Sequence, residues 1–72
     1  MTKQNKIKIK VNGKYIYLNK ATTIKSLIYK HKIPVNMVAI ELNKKILNKS
    51  KFSKTILKSN DKVEIVHFIG GG

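Results

Sequence analysis

The residues of this chain that could take part in chemistry lie at its end, where Gly70, Gly71 and Gly72 follow the apolar segment 63–69. Glycine lacks a Cβ, so three in a row make a thin segment that adopts backbone angles closed to other residues. Such a segment could thread a narrow active site of another protein and present the Gly72 carboxylate there. A frayed terminus does not explain three glycines directly after a strand. We therefore predict that the chain end is the reactive group.

The size of the chain limits what it can catalyse alone. Its 72 residues suffice for one domain with a small core, and we expect a single domain over residues 1–72 with 69–72 as a flexible glycine tail. A pocket for a nucleotide-sized substrate takes about 300 to 1,000 Å³, which so thin a core could scarcely surround. The absence of cysteine removes a thiolate nucleophile and a Cys-based metal site. We therefore expect no enzyme and no bound cofactor, with catalysis left to a partner.

The charge balance of the chain is extreme, with sixteen lysines against Glu41, Asp61 and Glu64 and a net charge of +13. Such a charge suggests nucleic acid, an anionic surface or an acidic protein as partner. The lysines form no polybasic block, however, and arginine, which reads guanine and clamps phosphate, is absent. The abundance of lysine, isoleucine and asparagine fits an AT-rich genome. We therefore do not expect nucleic acid to be a partner.

Other constellations in the sequence are weak. His31 and His67 are far apart in sequence and lack a third ligand at metal spacing, so we assign no metal. Glu41 and Glu64 are expected to be solvated ion pairs among the lysines and not an acid–base dyad. No apolar segment approaches the length of a membrane helix or signal peptide. We expect a protein of the cytoplasm, or of an organelle stroma such as a plastid, without a membrane partner.

The first half of the chain predicts a hairpin followed by a helix. Residues 6–11 alternate lysine with apolar residues and predict a strand. Asn12-Gly13 then predicts a type I′ turn leading into a second strand over residues 14–18. Thr22 and Thr23 are candidate N-caps of a helix that ends before Pro34. Its inner face, at helical spacing, is expected to consist of Ile24, Leu27, Ile28 and His31.

The second half predicts three more strands. They cover residues 38–42, a short edge near 46–47, and 62–68, the last one after a turn with Asn60 in a left-handed conformation. Between the second and third of these, a helical turn is expected to carry Phe52, Ile56 and Leu57. This order predicts an α+β roll of four to five strands with one helix on one face. A right-handed crossover makes the last strand parallel to the first.

The alternation of the last strand predicts a second surface besides the core. Val63 and Ile65 can face the helix while Val66 and Phe68 point to the opposite, uncovered side. Tyr15 and Tyr17 would share that open face if their neighbours point inward. Apolar and aromatic side chains on an uncovered face are typical of docking surfaces. We predict these four residues as partner-docking residues.

The closing segment 60–72, which ends in Val66-His67-Phe68-Ile69-Gly70-Gly71-Gly72, resembles the end of the thiamine-biosynthesis sulfur carrier proteins. These are small β-grasp proteins of the ubiquitin-like group. The segments 9–14, 22–28 and 38–43 fall where that family places its hairpin, its helix and a strand. The chain departs from the family in having Asn60 where glycine is usual and in being more basic.

The resemblance implies a definite chemistry. A ubiquitin-activating-like adenylyltransferase would use ATP to adenylate Gly72, and sulfur from a persulfide would then convert that end into a thiocarboxylate. Gly71 would lie with Gly72 in the adenylation cleft, with Gly70 as a spacer. The sulfur would pass to thiazole synthase for the thiazole ring of thiamine.

Two alternatives remain open on the sequence. A molybdopterin synthase small subunit or a ubiquitin-like protein modifier would use the same fold and tail with a different acceptor. More remotely, a small basic nucleic-acid-binding protein could carry such a tail incidentally.

Overall fold

The chain opens with the hairpin that the sequence predicts. In the computed structural model, which describes residues 5–68, β1 (Lys6–Val11) pairs antiparallel with β2 (Lys14–Asn19). Asn12 and Gly13 between them have φ values of 49° and 84°, the two positive angles that a type I′ turn requires. The register places Ile9 opposite Ile16 on the core face. The turn therefore fixes which side chains of the hairpin face inward.

The helix follows where the threonines predict it. Helix α1 (Ile24–Lys30) begins at Thr23, whose hydroxyl oxygen accepts a hydrogen bond from the Ser26 N–H at 3.1 Å. Ile24, Leu27 and Ile28 are buried beneath it. The expectation that His31 belongs to this inner face is wrong: the residue is the C-cap and is exposed. The helix ends at Lys30, so the helical spacing no longer applies at His31.

The remaining strands complete one mixed sheet. They are β3 (Val38–Leu42), β4 (Lys45–Leu47) and β5 (Lys62–His67), with 3₁₀ turns at Val35–Met37 and Lys49–Lys51. The strand order is β2-β1-β5-β3-β4, with β5 parallel to β1 and antiparallel to β3. One helix covers one face of this sheet. The fold is the predicted α+β β-grasp roll, and the parallel pairing is confirmed.

The long connection between β4 and β5 closes the core beside the helix. Phe52 and Leu57 are buried, whereas Ile56, which we expected with them, is 52% exposed. The connection is mostly irregular after its 3₁₀ turn, so helical spacing does not decide which side chains point inward. Its carbonyls at Phe52 and Thr55 accept hydrogen bonds from the N–H groups of Lys25 and Ile24, at 3.0 Å each. The loop thereby satisfies backbone donors at the helix start, which the helix cannot satisfy itself.

Asn12 has a second role beyond the hairpin turn. Its Nδ2 donates to the Ile65 carbonyl at 3.2 Å, and its Oδ1 accepts from the Ile65 N–H at 2.7 Å. The β1–β5 register stops at the pair Val11 and Val63, so this amide continues the pairing of β5 where the β1 backbone has turned away. One side chain therefore supports the last part of β5.

We expect Asn12→Gly to lower the free energy of unfolding by about 1 to 3 kcal/mol, because two hydrogen bonds to Ile65 are lost. Glycine keeps the positive φ without strain, so this variant isolates the side-chain bonds. Asn12→Ala should lose more, because alanine disfavours the turn as well. Urea denaturation of the three proteins measures the difference. Equal stability of the wild type and Asn12→Gly would show that the amide does not support β5.

Candidate functional site

The candidate site begins where β5 leaves the sheet. The Phe68 N–H donates to the Met37 carbonyl at 2.8 Å, which extends the β3–β5 pairing by one residue past His67. On its other side, β5 pairs with β1 only as far as Val63, and the Asn12 amide holds Ile65, so the residues just before the tail are paired on the β3 side. Gly70, Gly71 and Gly72 lie outside the described residues, and their site roles stay predictions.

Val66 and Phe68 lie on the side of the sheet that the helix does not cover. Their exposed fractions are 51% and 48%, whereas Val63 and Ile65 of the same strand are buried. Met37, 44% exposed, lies beside Phe68 at the start of β3. We call Met37, Val66 and Phe68 the apolar patch. The sequence analysis did not predict Met37 as part of this surface. Its position directly before a strand whose apolar residues alternate could have indicated it.

Tyr15 and Tyr17 share the open face, as the alternation predicts. They are 62% and 66% exposed, and their Cα partners on β1 are Lys10 and Lys8. Lys10 in turn pairs with Lys62 of β5. These five residues, which we call the lysine–tyrosine patch, are Lys8, Lys10, Lys62, Tyr15 and Tyr17.

The two patches are separate regions of one face. Val66 is four residues beyond Lys62, which corresponds to roughly 13 Å along the strand. The structure therefore brings Val66 and Phe68 together beside the base of the tail and places Tyr15 and Tyr17 farther along the sheet. The sequence analysis treated all four as one cluster and did not single out the lysines between them.

A groove opens at the same end of the sheet on the helix side. It has a volume of about 300 Å³ and is lined mainly by apolar side chains of the hairpin, the helix and β5. His31 and His67, distant in sequence, both line it. Within residues 5–68 no group of three His, Cys, Asp or Glu side chains is placed to hold a metal ion. The two histidines alone do not make a metal site.

Comparison with known proteins places this geometry in a family. The family model described as ThiS family matches residues 4–72. The chain is 37% identical over 65 residues to the sulfur carrier protein ThiS of Bacillus subtilis, covering 89% of this chain and 98% of that protein. The chain belongs to the ThiS family.

A solved structure and a longer relative extend the comparison. The crystal structure of the thiamine biosynthesis protein ThiS from Geobacter metallireducens superposes with a TM-score of 0.81 at 30% identity, covering 92% of this chain and all of that one. A thiazole synthase of Magnetococcus marinus is 33% identical over 66 residues, which span 92% of this chain and 20% of that protein. The predicted resemblance and the β-grasp fold are therefore confirmed.

Between residues 5 and 68, no helix is long and apolar enough to cross a bilayer.

The exposure of Phe68 predicts that its ring contributes to partner docking and little to the stability of the fold. Phe68→Ala should leave the melting temperature within a few degrees of the wild type, because the ring is half exposed on the open face. Phe52→Ala is the matched control: Phe52 is 5% exposed, and its truncation should cost about 3 to 5 kcal/mol. Thermal melting followed by circular dichroism compares them. A large loss of melting temperature for Phe68→Ala would place that ring in the core and remove it from the site.

Proposed function

We propose that this ThiS-family protein carries sulfur for thiamine biosynthesis on the carboxylate of Gly72. Membership of the ThiS family supports the general part of this conclusion, that the protein is a sulfur carrier protein of thiamine biosynthesis. The chemistry at the chain end is our inference from the three glycines and the geometry of β5.

A carboxylate must be activated before it can accept sulfur, because its negative charge is delocalised over two oxygens. Attack of the Gly72 carboxylate on ATP would give an acyl adenylate and release pyrophosphate. The terminal sulfur of a persulfide would then displace AMP, forming an acyl disulfide. A thiol would cleave that disulfide, leaving a thiocarboxylate on Gly72 and a new disulfide on the donor side. Side chains at positions 70–72 would obstruct these attacks, and glycine has none.

The composition and the fold support this use of the chain end. No cysteine is present, so no thiol of the carrier competes for its own activated acyl group. The tail follows the middle strand of the sheet, whose last residues are paired with β3 and with the Met37 carbonyl. A partner that binds the open face would therefore receive the tail from a fixed position. We propose Val66, Phe68, Tyr15 and Tyr17 as the docking residues of that face.

The partners follow from the reaction. Adenylation requires a ubiquitin-activating-like adenylyltransferase, which would bind the ATP, so the carrier itself needs no cofactor and performs no catalysis. A persulfide-bearing protein would supply the sulfur. Thiazole synthase would accept it, and the resemblance of 66 residues of a thiazole synthase to this chain supports that partnership. We place the reaction in the cytoplasm or in an organelle stroma.

The proposal predicts a change at one residue. Incubation with ATP, the adenylyltransferase encoded in the same genome and a sulfur donor should replace one terminal oxygen of Gly72 by sulfur. Intact-mass measurement detects the exchange, and fragmentation assigns it to the last residue. Omission of ATP is the control. A new mass that maps to a lysine would favour a protein modifier, and a thiocarboxylate that serves molybdopterin synthase but not thiazole synthase would favour that enzyme's small subunit.

Gly71→Val should abolish AMP formation by the adenylyltransferase while leaving the melting temperature unchanged. The core described between residues 5 and 68 consists of other positions, whereas a β-branched side chain at position 71 would block a narrow cleft. Lys20→Val, an exposed position on the folded body, controls for the substitution itself. Unchanged AMP formation in Gly71→Val would refute the role of the tail.

A further inference from the structure

One part of the open face concentrates positive charge. Strand β1 presents Lys8 and Lys10 there, and their Nζ atoms lie 4.8 and 4.9 Å from the centroid of the Tyr15 ring. At these distances an ammonium group is attracted by the ring. With Lys62 they line a depression of about 220 Å³. The Tyr15 ring thereby holds the ammonium groups of Lys8 and Lys10 beside this depression, which is large enough for carboxylate groups.

An acidic residue also lines this depression, but its carboxylate is engaged elsewhere. Asp61 accepts hydrogen bonds from the Asn43 Nδ2 at 3.0 Å and from the Lys58 N–H at 2.8 Å. The Lys58 contact lies within the turn before β5, and the Asn43 contact comes from the turn between β3 and β4. Three lysines and one carboxylate line the depression. Because that carboxylate is already hydrogen-bonded, the lysines dominate the charge there.

The opposite sign of charge lies next to the lysine–tyrosine patch on the same face, where Glu64 is two residues beyond Lys62 on β5. Glu41 of β3 and Glu64 of β5 are direct Cα partners, roughly 5.5 Å apart in a hydrogen-bonded antiparallel pair. Like charges in this position destabilise a sheet. Two of the three acidic residues of the chain occupy this costly arrangement. We call them the glutamate pair.

We propose that the open face of the sheet binds an oriented protein surface, with partner carboxylates against the lysine–tyrosine patch and a partner arginine or lysine against the glutamate pair. This inference rests on the proposed function, and the partner is the adenylyltransferase that receives the tail. Opposite charges at separate places on one face fix the rotation of the partner as well as its position. The apolar patch lies beside the glutamate pair, since Val66 is two residues from Glu64 on the same side of β5.

The same pattern argues against nucleic acid as the occupant. A polyanion bound to the lysines and extended across the sheet would meet the glutamate pair and be repelled there. No arginine is present to hold a phosphate through two hydrogen bonds. The mixed charges and the neighbouring apolar patch are the features of a protein interface.

Charge reversal on the lysine–tyrosine patch tests the first half of the proposal. Lys8→Glu/Lys10→Glu should weaken binding of the adenylyltransferase by about tenfold or more, chiefly through a slower association rate at low salt. Lys25→Glu/Lys30→Glu changes the net charge equally on the exposed side of α1 and should change the affinity far less. Surface plasmon resonance at two salt concentrations measures both. Equal weakening by the two variants would show that only net charge matters and would overturn the inference.

For the glutamate pair, general electrostatic attraction and oriented docking predict opposite changes in binding affinity. Glu64→Lys raises the net charge, so unspecific attraction to an acidic partner would tighten binding. Oriented docking predicts weaker binding, about tenfold, because a partner cation then meets a lysine. Glu41→Gln combined with Glu64→Gln should weaken binding by less than the product of the single effects, since both carboxylates would serve one partner group. Tighter binding by Glu64→Lys would refute the proposal.

Two further results separate this inference from the proposed function. If the wild type acquires the thiocarboxylate and all charge variants bind like the wild type, the oriented surface is wrong and the sulfur-carrier chemistry stands. If the wild type neither binds the adenylyltransferase nor changes mass, both fail. Single-stranded oligonucleotide binding that Lys8→Glu/Lys10→Glu abolishes and Glu64→Lys strengthens would assign the patch to nucleic acid instead. Melting curves establish that each variant is folded.

Discussion

The structure depends on the position of β5 between β1 and β3. A parallel neighbour on one side and an antiparallel neighbour on the other satisfy its backbone hydrogen bonds and bury Val63 and Ile65 beneath the helix. Where β1 ends, the Asn12 amide takes over with two hydrogen bonds to Ile65. The last strand before the tail is therefore a central strand of the sheet as far as Ile65. Beyond Ile65 it is paired on the β3 side, up to the hydrogen bond of the Phe68 N–H to the Met37 carbonyl.

This arrangement fits the proposed role of the protein as a carrier on which partner enzymes act. Among residues 5–68 the core consists of twelve buried apolar residues and contains no buried polar or charged side chain. The fold instead supplies a rigid base for the tail and an open face that a partner can recognise. Both are features of one sheet, so recognition of the face also determines where the chain end arrives. The chemistry can then belong to successive partners that bind the same carrier.

Much of the fold could be predicted from local patterns. The alternation in β1, the Asn12-Gly13 turn and the Thr23 cap each depend on residues within a few positions of one another, and all three are confirmed. The misplaced residues have a common cause. His31 follows the end of α1, so the helical periodicity that placed it on the inner face no longer holds. Ile56 follows a 3₁₀ turn that ends at Lys51, so the helical turn expected to carry it does not extend that far. The glycine tail was predicted from three consecutive glycines directly after an apolar segment, which is also a local signal, and its role stays a prediction.

The sequence by itself determined the elements, the inward sides of the strands and the unusual chain end, since short-range sterics and alternation govern these. Beyond the β1–β2 hairpin and the parallel direction of β5, only the tertiary structure decided the order and register of the strands. That pairing separated Tyr15 and Tyr17 from Val66 and Phe68, placed Lys62 beside Lys10, and set Glu41 opposite Glu64. Alternation tells on which face a side chain lies but not what stands next to it on another strand. Neighbours across strands depend on long-range register, which the burial of the whole core sets.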